Sequence, residues 1–305
     1  MAELSKDKFV IEGKRTSDAE SIVRPSLTYW ADAWRRLKTN KMAITAMVIL
    51  IIVTLFAIFA PILSEFDYRT GDLLEVNRQP DAEHWFGTDE LGRDLYVRVW
   101  EGTRISLFIG IVTAMLNFTI GVLYGGISGY VGGNIDNIMM RIVEILFSIP
   151  YLLWVIMLTT VMGSGLFTII VALSIAGWGG MARLVRGQIL QIKEMEFVMA
   201  AKTLGADAGR IITKHLIPNT IGVIIISVTF AIPTAIFAEA FLSFIGLGIK
   251  VPYASLGSLS KDGTRMLLVH PYQLVFPSIV ISLIMLSFQI FGDGLRDALD
   301  PRLRQ

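Results

Sequence analysis

Long apolar runs separated by short polar stretches dominate the chain. A bilayer core of about 30 Å needs roughly 20 consecutive apolar residues in a helix. Six runs approach that length, at about 42–63, 105–127, 138–162, 166–182, 221–247 and 274–291. They predict an all-α integral membrane protein with six transmembrane helices. The first run ends without a small-residue cleavage pattern, so it reads as an uncleaved helix rather than a secretory signal.

One stretch interrupts this pattern. Residues 196–219 read "EFVMAAKTLGADAGRIITKHLIPN" between the fourth and fifth runs. Phe197, Ala200, Ala201 and Leu204 recur at three- and four-residue steps, Gly205 ends that piece, and Asp207 is placed to cap the next. Ala208, Ile211, Ile212 and His215 then share a face until Pro218 stops the piece and the fifth span begins. Two short amphipathic helices about a glycine hinge are too polar to span. They need an apolar groove, either on a soluble partner or on the protein's own helix ends.

Composition agrees with the spans. The chain is 53% hydrophobic and only 17% charged, where soluble domains carry about a quarter charged residues. A net charge of +1 gives no basic surface for nucleic acid, and zero cysteines exclude disulfides, thiolate metal sites and thiol catalysis. The charges are segregated instead. With the N-terminus inside, nineteen of the 27 lysines and arginines fall on the cytoplasmic side, which places both termini and the hairpin there by the positive-inside rule. The first outer loop is acid-rich, with Asp67, Asp72, Asp81, Asp89 and Asp94. Before the first span, Leu27, Trp30, Trp34 and Leu37 recur at helical spacing, so the segment reads either as a plain topological anchor or as a short helix lying at the membrane interface.

Catalytic chemistry is scarce. His84, His215 and His270 are far apart and fit no metal-binding pattern. "GTDELGRD" at 87–94 has the glycine spacing of a phosphate loop, but Arg93 and Asp94 stand where lysine and serine or threonine are needed. No ATP site and no metal site is expected. Within the spans, a lipid-facing carboxylate at Glu239 would cost on the order of 3 kcal/mol. Glu239 therefore faces either a wet pathway or a helix-to-helix hydrogen bond. Pro150 and Pro233 fall mid-span and are candidate bends for a gated pathway. Arg141 and Glu144 are spaced to pair on one face. Gly121, Gly125 and Gly129 predict a close helix contact, within this chain or with a partner.

The stretch "AAKTLGADAGRIITKHLIPN" resembles the E-A-A-x3-G-x9-I-x-L-P loop of ABC importer permeases. Ala200, Ala201, Gly205 and Pro218 fall on that pattern. Met199, His215 and Ile217 depart from it, and Met199 removes a charge that the family usually carries. "RRLKTNKMA" at 35–43, "HWFGTDELGRD" at 84–94 followed by "GTRISL", and "GDGLRDALDPRLR" at 292–304 resemble one branch, the second permease subunit of dipeptide, oligopeptide and nickel importers.

The resemblance implies a type I ABC importer permease fold in the bacterial cytoplasmic membrane. It implies a cytoplasmic segment at 1–41, a first span at 42–63, an outer loop at 64–103, a five-helix core at 104–295 containing a coupling hairpin at 194–217, and a cytoplasmic tail at 296–305. The implied partners are a homologous second permease, two cytoplasmic ATP-binding subunits that use ATP and magnesium, and an extracytoplasmic substrate-binding protein. Phe197, Met199, Ala200, Ala201, Lys202, Leu204, Gly205, His215 and Pro218 would then meet the ATP-binding subunit. The outer-loop motif comprises Phe86, Gly87, Thr88, Asp89, Gly92, Arg93 and Asp94, either as a rigid loop or as a contact for the binding protein. The chain itself would be a non-catalytic subunit, passing a peptide, a nickel chelate or a glutathione-like substrate. A secondary transporter is disfavoured, because Glu239 is the one coupling carboxylate in view and no inverted repeat is apparent.

Overall fold

The computed structural model describes residues 28–300, and every named element in that range is a helix. Helix α1, Tyr29–Thr39, begins where the Thr28 hydroxyl accepts from Ala31 N. Asn40 closes it and in turn caps α2, Lys41–Leu63, through Ala43 N at 3.1 Å. Trp30 and Trp34 of α1 face outward, while Leu37 packs with Ala43, Phe291, Leu295 and Ala298. Leu27, the start of the expected interfacial stripe, lies outside the described residues, as do the charges up to Arg24 and those at Arg302 and Arg304.

The second span is longer than the sequence predicts. Helix α3 runs Leu95–Val131, because Asp94 caps Val97 N at 2.8 Å well ahead of the expected start at 105. The third expected span is broken. Helices α4, Gly133–Ser148, and α5, Tyr151–Met162, meet at 78°. Pro150 is thus no mid-helix kink but a break, since it forces Ile149 into extended backbone and has no N–H to carry the helix through. Helix α6, Leu166–Ile192, continues past the expected end at 182 because Ala182, Val185 and Ile189 keep an apolar inner face.

The hairpin follows as α7, Glu196–Thr203, and α8, Ala208–Arg210. From α8 the chain runs through six residues of π-helix, Ile211–Leu216, into α9, Ile217–Phe244. Pro218 therefore does not stop the second piece. It sits in the first turn of α9, where a missing N–H is tolerated, and the preceding turn is held by an i→i−5 bond from Ile217 N–H to Ile212 O. Between the last two spans, where the sequence predicts only a polar stretch, lies a further helix. Helix α10, Leu256–Arg265, starts at a capping box of Ser255 and Ser258. Helix α11, Tyr272–Leu299, completes the fold.

Five of these helices are long and apolar enough to cross a membrane, or six with the bent α4–α5 pair as one span. The glycine series on α3 identifies its partner within the chain. A Cβ at Gly121 would meet Met181, one at Gly125 the backbone of Ala182, and one at Gly129 the carbonyl of Arg186 at 3.0 Å. Absence of side chains at these three positions lets α3 and α6 run side by side at backbone contact, and in parallel. Both helices then end together at the hairpin. The 64–94 loop, α10 and the start of α11 gather at the opposite end, while α1 and the end of α11 share the hairpin end, with Tyr29 donating to Leu299 O at 3.3 Å.

Candidate functional site

Four residues of the hairpin are buried, Val198, Ala201, Ile211 and Leu216. Val198 of α7 packs with Ile211 and Leu216 in a cluster that includes Val122 of α3, Met181, Val185 and Ile189 of α6, and Ile224 of α9. Ile211 and Leu216 are five residues apart, the repeat of a π-turn. That repeat replaces the expected Ala208–Ile211–Ile212–His215 face, leaving Ala208 exposed and Ile212 and His215 half-buried. The expected Phe197–Ala200–Ala201–Leu204 stripe also divides. Ala201 lies inside, while Phe197, Met199, Ala200, Lys202 and Leu204 face out. The pairing of Val198 with Ala201 at i,i+3 was the signal for the inner face.

This outward surface is strongly apolar for a surface, with Leu204 88% and Met199 57% exposed. Gly205 closes α7 at φ +82°, which is left-handed backbone, and a Cβ there would meet nothing within 4 Å. Asp207 accepts from Arg210 N as the expected cap. Lysines tie the hairpin end to α3, with Lys193 Nζ donating to Gly129 O at 3.2 Å and Lys202 Nζ 5.4 Å from the Tyr130 ring. His215 O accepts from Asn219 Nδ2 at 2.6 Å, and Pro218 remains exposed.

At the other end, the seven motif residues form one tightly bonded loop. Gly87 and Gly92 take φ of +75° and +67°, and each faces backbone too closely to admit a Cβ. Phe86 stacks on Phe276 of α11 at 4.0 Å. The Thr88 hydroxyl donates to Glu75 O and accepts from Arg78 N, while Thr88 O accepts from Tyr272 Oη and Gln273 Nε2 of α11, each at 3.1 Å. Asp89 accepts from the Arg93 guanidinium at 2.8 Å and from Leu91 and Arg93 N. Asp94 caps α3 with one oxygen and accepts from His84 Nδ1 at 2.8 Å with the other.

His84 is buried, and its Nε2 lies 3.0 Å from Glu75. Burial alone would lower its pKa, but the hydrogen bonds to Asp94 and Glu75 hold it above the ordinary imidazole value. An imidazole facing two carboxylates donates from both nitrogens, the behaviour of an imidazolium. Glu75, Glu83 and His84 lie close enough together to be ligands. Here, however, both ring nitrogens are engaged and both carboxylates pair with Arg78.

Between these ends, Glu239 is fully buried and accepts from Ser106 of α3 and Ser243 of α9, each at 2.7 Å. This is the helix-to-helix arrangement among the two readings of its sequence. Pro233 lies buried inside the continuous α9. Arg141 and Glu144 pair at 2.9 Å on an exposed face. Sequence reasoning missed a second pair, in which Arg186 of α6 grips Asp136 of α4 with two bonds of 2.6 Å while Ser128 donates to the same carboxylate. In the sequence Arg186 carries weight only as a topological charge, and nothing local in "GNIDN" marks Asp136 as its partner.

Comparison with known proteins bears on this arrangement. Residues 121–305 match the family described as binding-protein-dependent transport system inner membrane component. Residues 28–80 match the N-terminal TM domain of oligopeptide transport permease C. The chain is 54% identical over 298 residues to the dipeptide transport system permease protein DppC of Bacillus subtilis (strain 168), covering 97% of this chain and 93% of that one. It is 49% identical over 305 residues to the oligopeptide transport system permease protein OppC of the same organism, covering all of both. The oligopeptide transport system permease protein OppC of Escherichia coli (strain K12) is 43% identical over 277 residues, covering 90% and 92%. Among solved structures, an inward-facing MetNI methionine ABC transporter matches with TM-score 0.53 at 23% identity, over 68% of this chain and 96% of that one. At that identity the likeness concerns the fold.

Proposed function

Because the chain belongs to the family of inner membrane components of binding-protein-dependent transport systems, we propose that it forms half of the peptide pathway of an ATP-driven importer. It is a multi-pass permease subunit and not itself an enzyme; ATP and magnesium are used by its partners. Peptides are proposed as cargo because the relatives that align over nearly the whole chain are dipeptide and oligopeptide permeases. The proposed assembly has a second permease subunit, two ATP-binding subunits at the hairpin end and a substrate-binding protein at the loop end. That orientation puts both described chain ends and the hairpin in the cytoplasm, consistent with the lysine and arginine bias.

One observation carries the mechanism: the hairpin faces outward with Phe197, Met199 and Leu204 while its inner residues belong to the same packed cluster as α3, α6 and α9. An exposed apolar surface of this kind suits a groove on a cytoplasmic ATP-binding subunit. With Met199 in place of a carboxylate, that contact is mainly apolar. Closely packed side chains transmit displacement rather than absorbing it, so closure of the ATP-binding subunits would move α6 and α9 with the hairpin. The α4–α5 break at Pro150 and the proline in α9 at 233 are where the pathway is proposed to flex, and Glu239 holds α3 to α9 as they move. The outer loop is proposed as a rigid platform for the binding protein.

The test is uptake of labelled di- and tripeptides by the assembled transporter in vesicles, together with Leu204→Glu. A charge at the most exposed apolar position of the hairpin should abolish uptake and release the ATP-binding subunits on purification, leaving the permease pair in the membrane. Full uptake by Leu204→Glu would sink the coupling assignment.

A further inference from the structure

At the loop end, Glu101 and Arg104 of α3 pair at 2.7 Å and stand between two cavities. One, of about 340 Å³, is lined by Ser64, Glu65, Asp67 and Tyr68. The other, of about 580 Å³, is lined by Ser164, Leu166, Lys250 and Tyr253. Both sizes lie in or near the range of small-ligand sites, roughly 300–1,000 Å³. The Tyr68 and Tyr253 rings, one from each cavity, stack at 6.4 Å with the Arg69 guanidinium over both. The two cavities thus adjoin, and their linings differ in sign, acidic on one side and basic on the other.

The Glu101 side chain is only 2% exposed, and its Oε2 has no hydrogen-bond partner among the described residues. A buried carboxylate oxygen without a donor is costly in a finished core. It is accounted for if the donor arrives with a ligand. Arg104, 45% exposed, spends one nitrogen on Glu101 Oε1 and leaves the rest of its fork toward the cavities.

We propose that these adjoining cavities form a binding site for a short dipolar peptide. Its ammonium group is held by Glu101 with Glu65 and Asp67 nearby, and its carboxylate by Arg104 and Lys250. The opposed charges fix the peptide's direction, since an ammonium placed by Lys250 or a carboxylate by Glu65 would be repelled, and they select for free termini because a blocked end brings no charge to pair with Glu101 or Arg104. The site rests on the peptide-import reading and sharpens it: this subunit itself recognises the termini of what the binding protein delivers.

The test exploits the absence of cysteine from the chain. Ser164→Cys, in the transporter assembled in nanodiscs with its ATP-binding subunits, gives one thiol in this chain, at the cavity wall. Millimolar trialanine should slow maleimide labelling of that thiol roughly threefold, as partial occupancy of a weak site predicts, while N-acetyl-trialanine amide should leave it unchanged. Adding Glu101→Gln should remove the protection. Lys250→Gln, at an exposed position outside the helices, should weaken it independently. Equal protection by free and blocked peptide, or protection untouched by both substitutions, overturns the site. Uptake of trialanine by the wild-type assembly is read in parallel. Uptake without protection rejects this site alone, whereas no uptake rejects the peptide reading on which it rests.

Discussion

Arg186 and Asp136, fifty positions apart, meet in a two-pronged ion pair with both N–O distances at 2.6 Å. Asp136 is nearly buried while Arg186 is about one-third exposed. The pair fastens α4, the first half of the broken span, to α6, which carries the hairpin at its end. A planar guanidinium matches both carboxylate oxygens at once, and lysine cannot.

Removing Arg186 strands a buried carboxylate that retains the Ser128 hydroxyl and the Lys193 charge but no two-pronged partner. Arg186→Met should therefore lower stability by about 1–3 kcal/mol, below the figure for a fully buried pair because Arg186 reaches solvent. Arg186→Lys should recover only part of this. Thermal unfolding of the purified assembly in detergent reads both, and equal stability of the lysine variant and wild type would contradict the two-pronged role.

Gly125 lies against the backbone of Ala182, which cannot swing aside as a side chain does. Gly125→Ala should force α3 and α6 apart and cost about 1–3 kcal/mol, as overpacking does elsewhere. Gly126, one position on, meets only side-chain atoms, at 3.6 Å and beyond. Gly126→Ala should be close to neutral on packing grounds, so the contrast between the neighbours, measured as membrane yield and melting temperature, isolates helix contact from helix propensity.

Most of the membrane architecture was legible because bilayer spans announce themselves by length and hydropathy. The errors share a cause. In the sequence Pro150 reads as a bend and Pro218 as a stop, yet Pro150 separates two helices and Pro218 lies within a continuous helical run just after a π-turn, because what a proline does depends on the backbone bonding around its missing N–H. The inner face of the hairpin departs from the expected one because a helical period of 3.6 does not describe Ile211 and Leu216, which follow a π-turn. Helix α10 was hidden by its polarity. Its apolar positions, Leu256 and Leu259, are few, and glycines at 257 and 263 make its closest approaches to Ala240 of α9 and Gln273 of α11. Pairings such as Ser106 with Glu239, 133 positions apart, leave no local mark at all.

Gly205 offers a way to separate backbone from bulk. Its φ of +82° is disfavoured for any residue with a Cβ, but the space around it is open. Gly205→Ala should cost about 1–2 kcal/mol through backbone conformation alone, whereas Gly205→Asn, which tolerates left-handed backbone, should cost less. Uptake should fall in the order glycine, asparagine, alanine, with the subunit still inserted in the membrane. Loss that tracks side-chain volume instead would place a partner surface directly against residue 205.

His84 gives the 75–94 loop a pH dependence whose sign follows from its partners. Its pKa is raised in the folded loop by Asp94 and Glu75 despite burial, while in the unfolded chain it titrates near 6.5. The bound proton therefore stabilises the fold fully below about pH 6.5, and that contribution is lost as pH rises through the folded value. Amide exchange in residues 75–94, corrected for its intrinsic pH dependence, should be slower at about pH 6 than at about pH 9. His84→Asn should remove most of the difference. Asp94 still caps α3 through its other oxygen in that variant, so exchange in the first turn of α3 should change less than exchange in the loop. A pH response that persists in His84→Asn would assign it to another group.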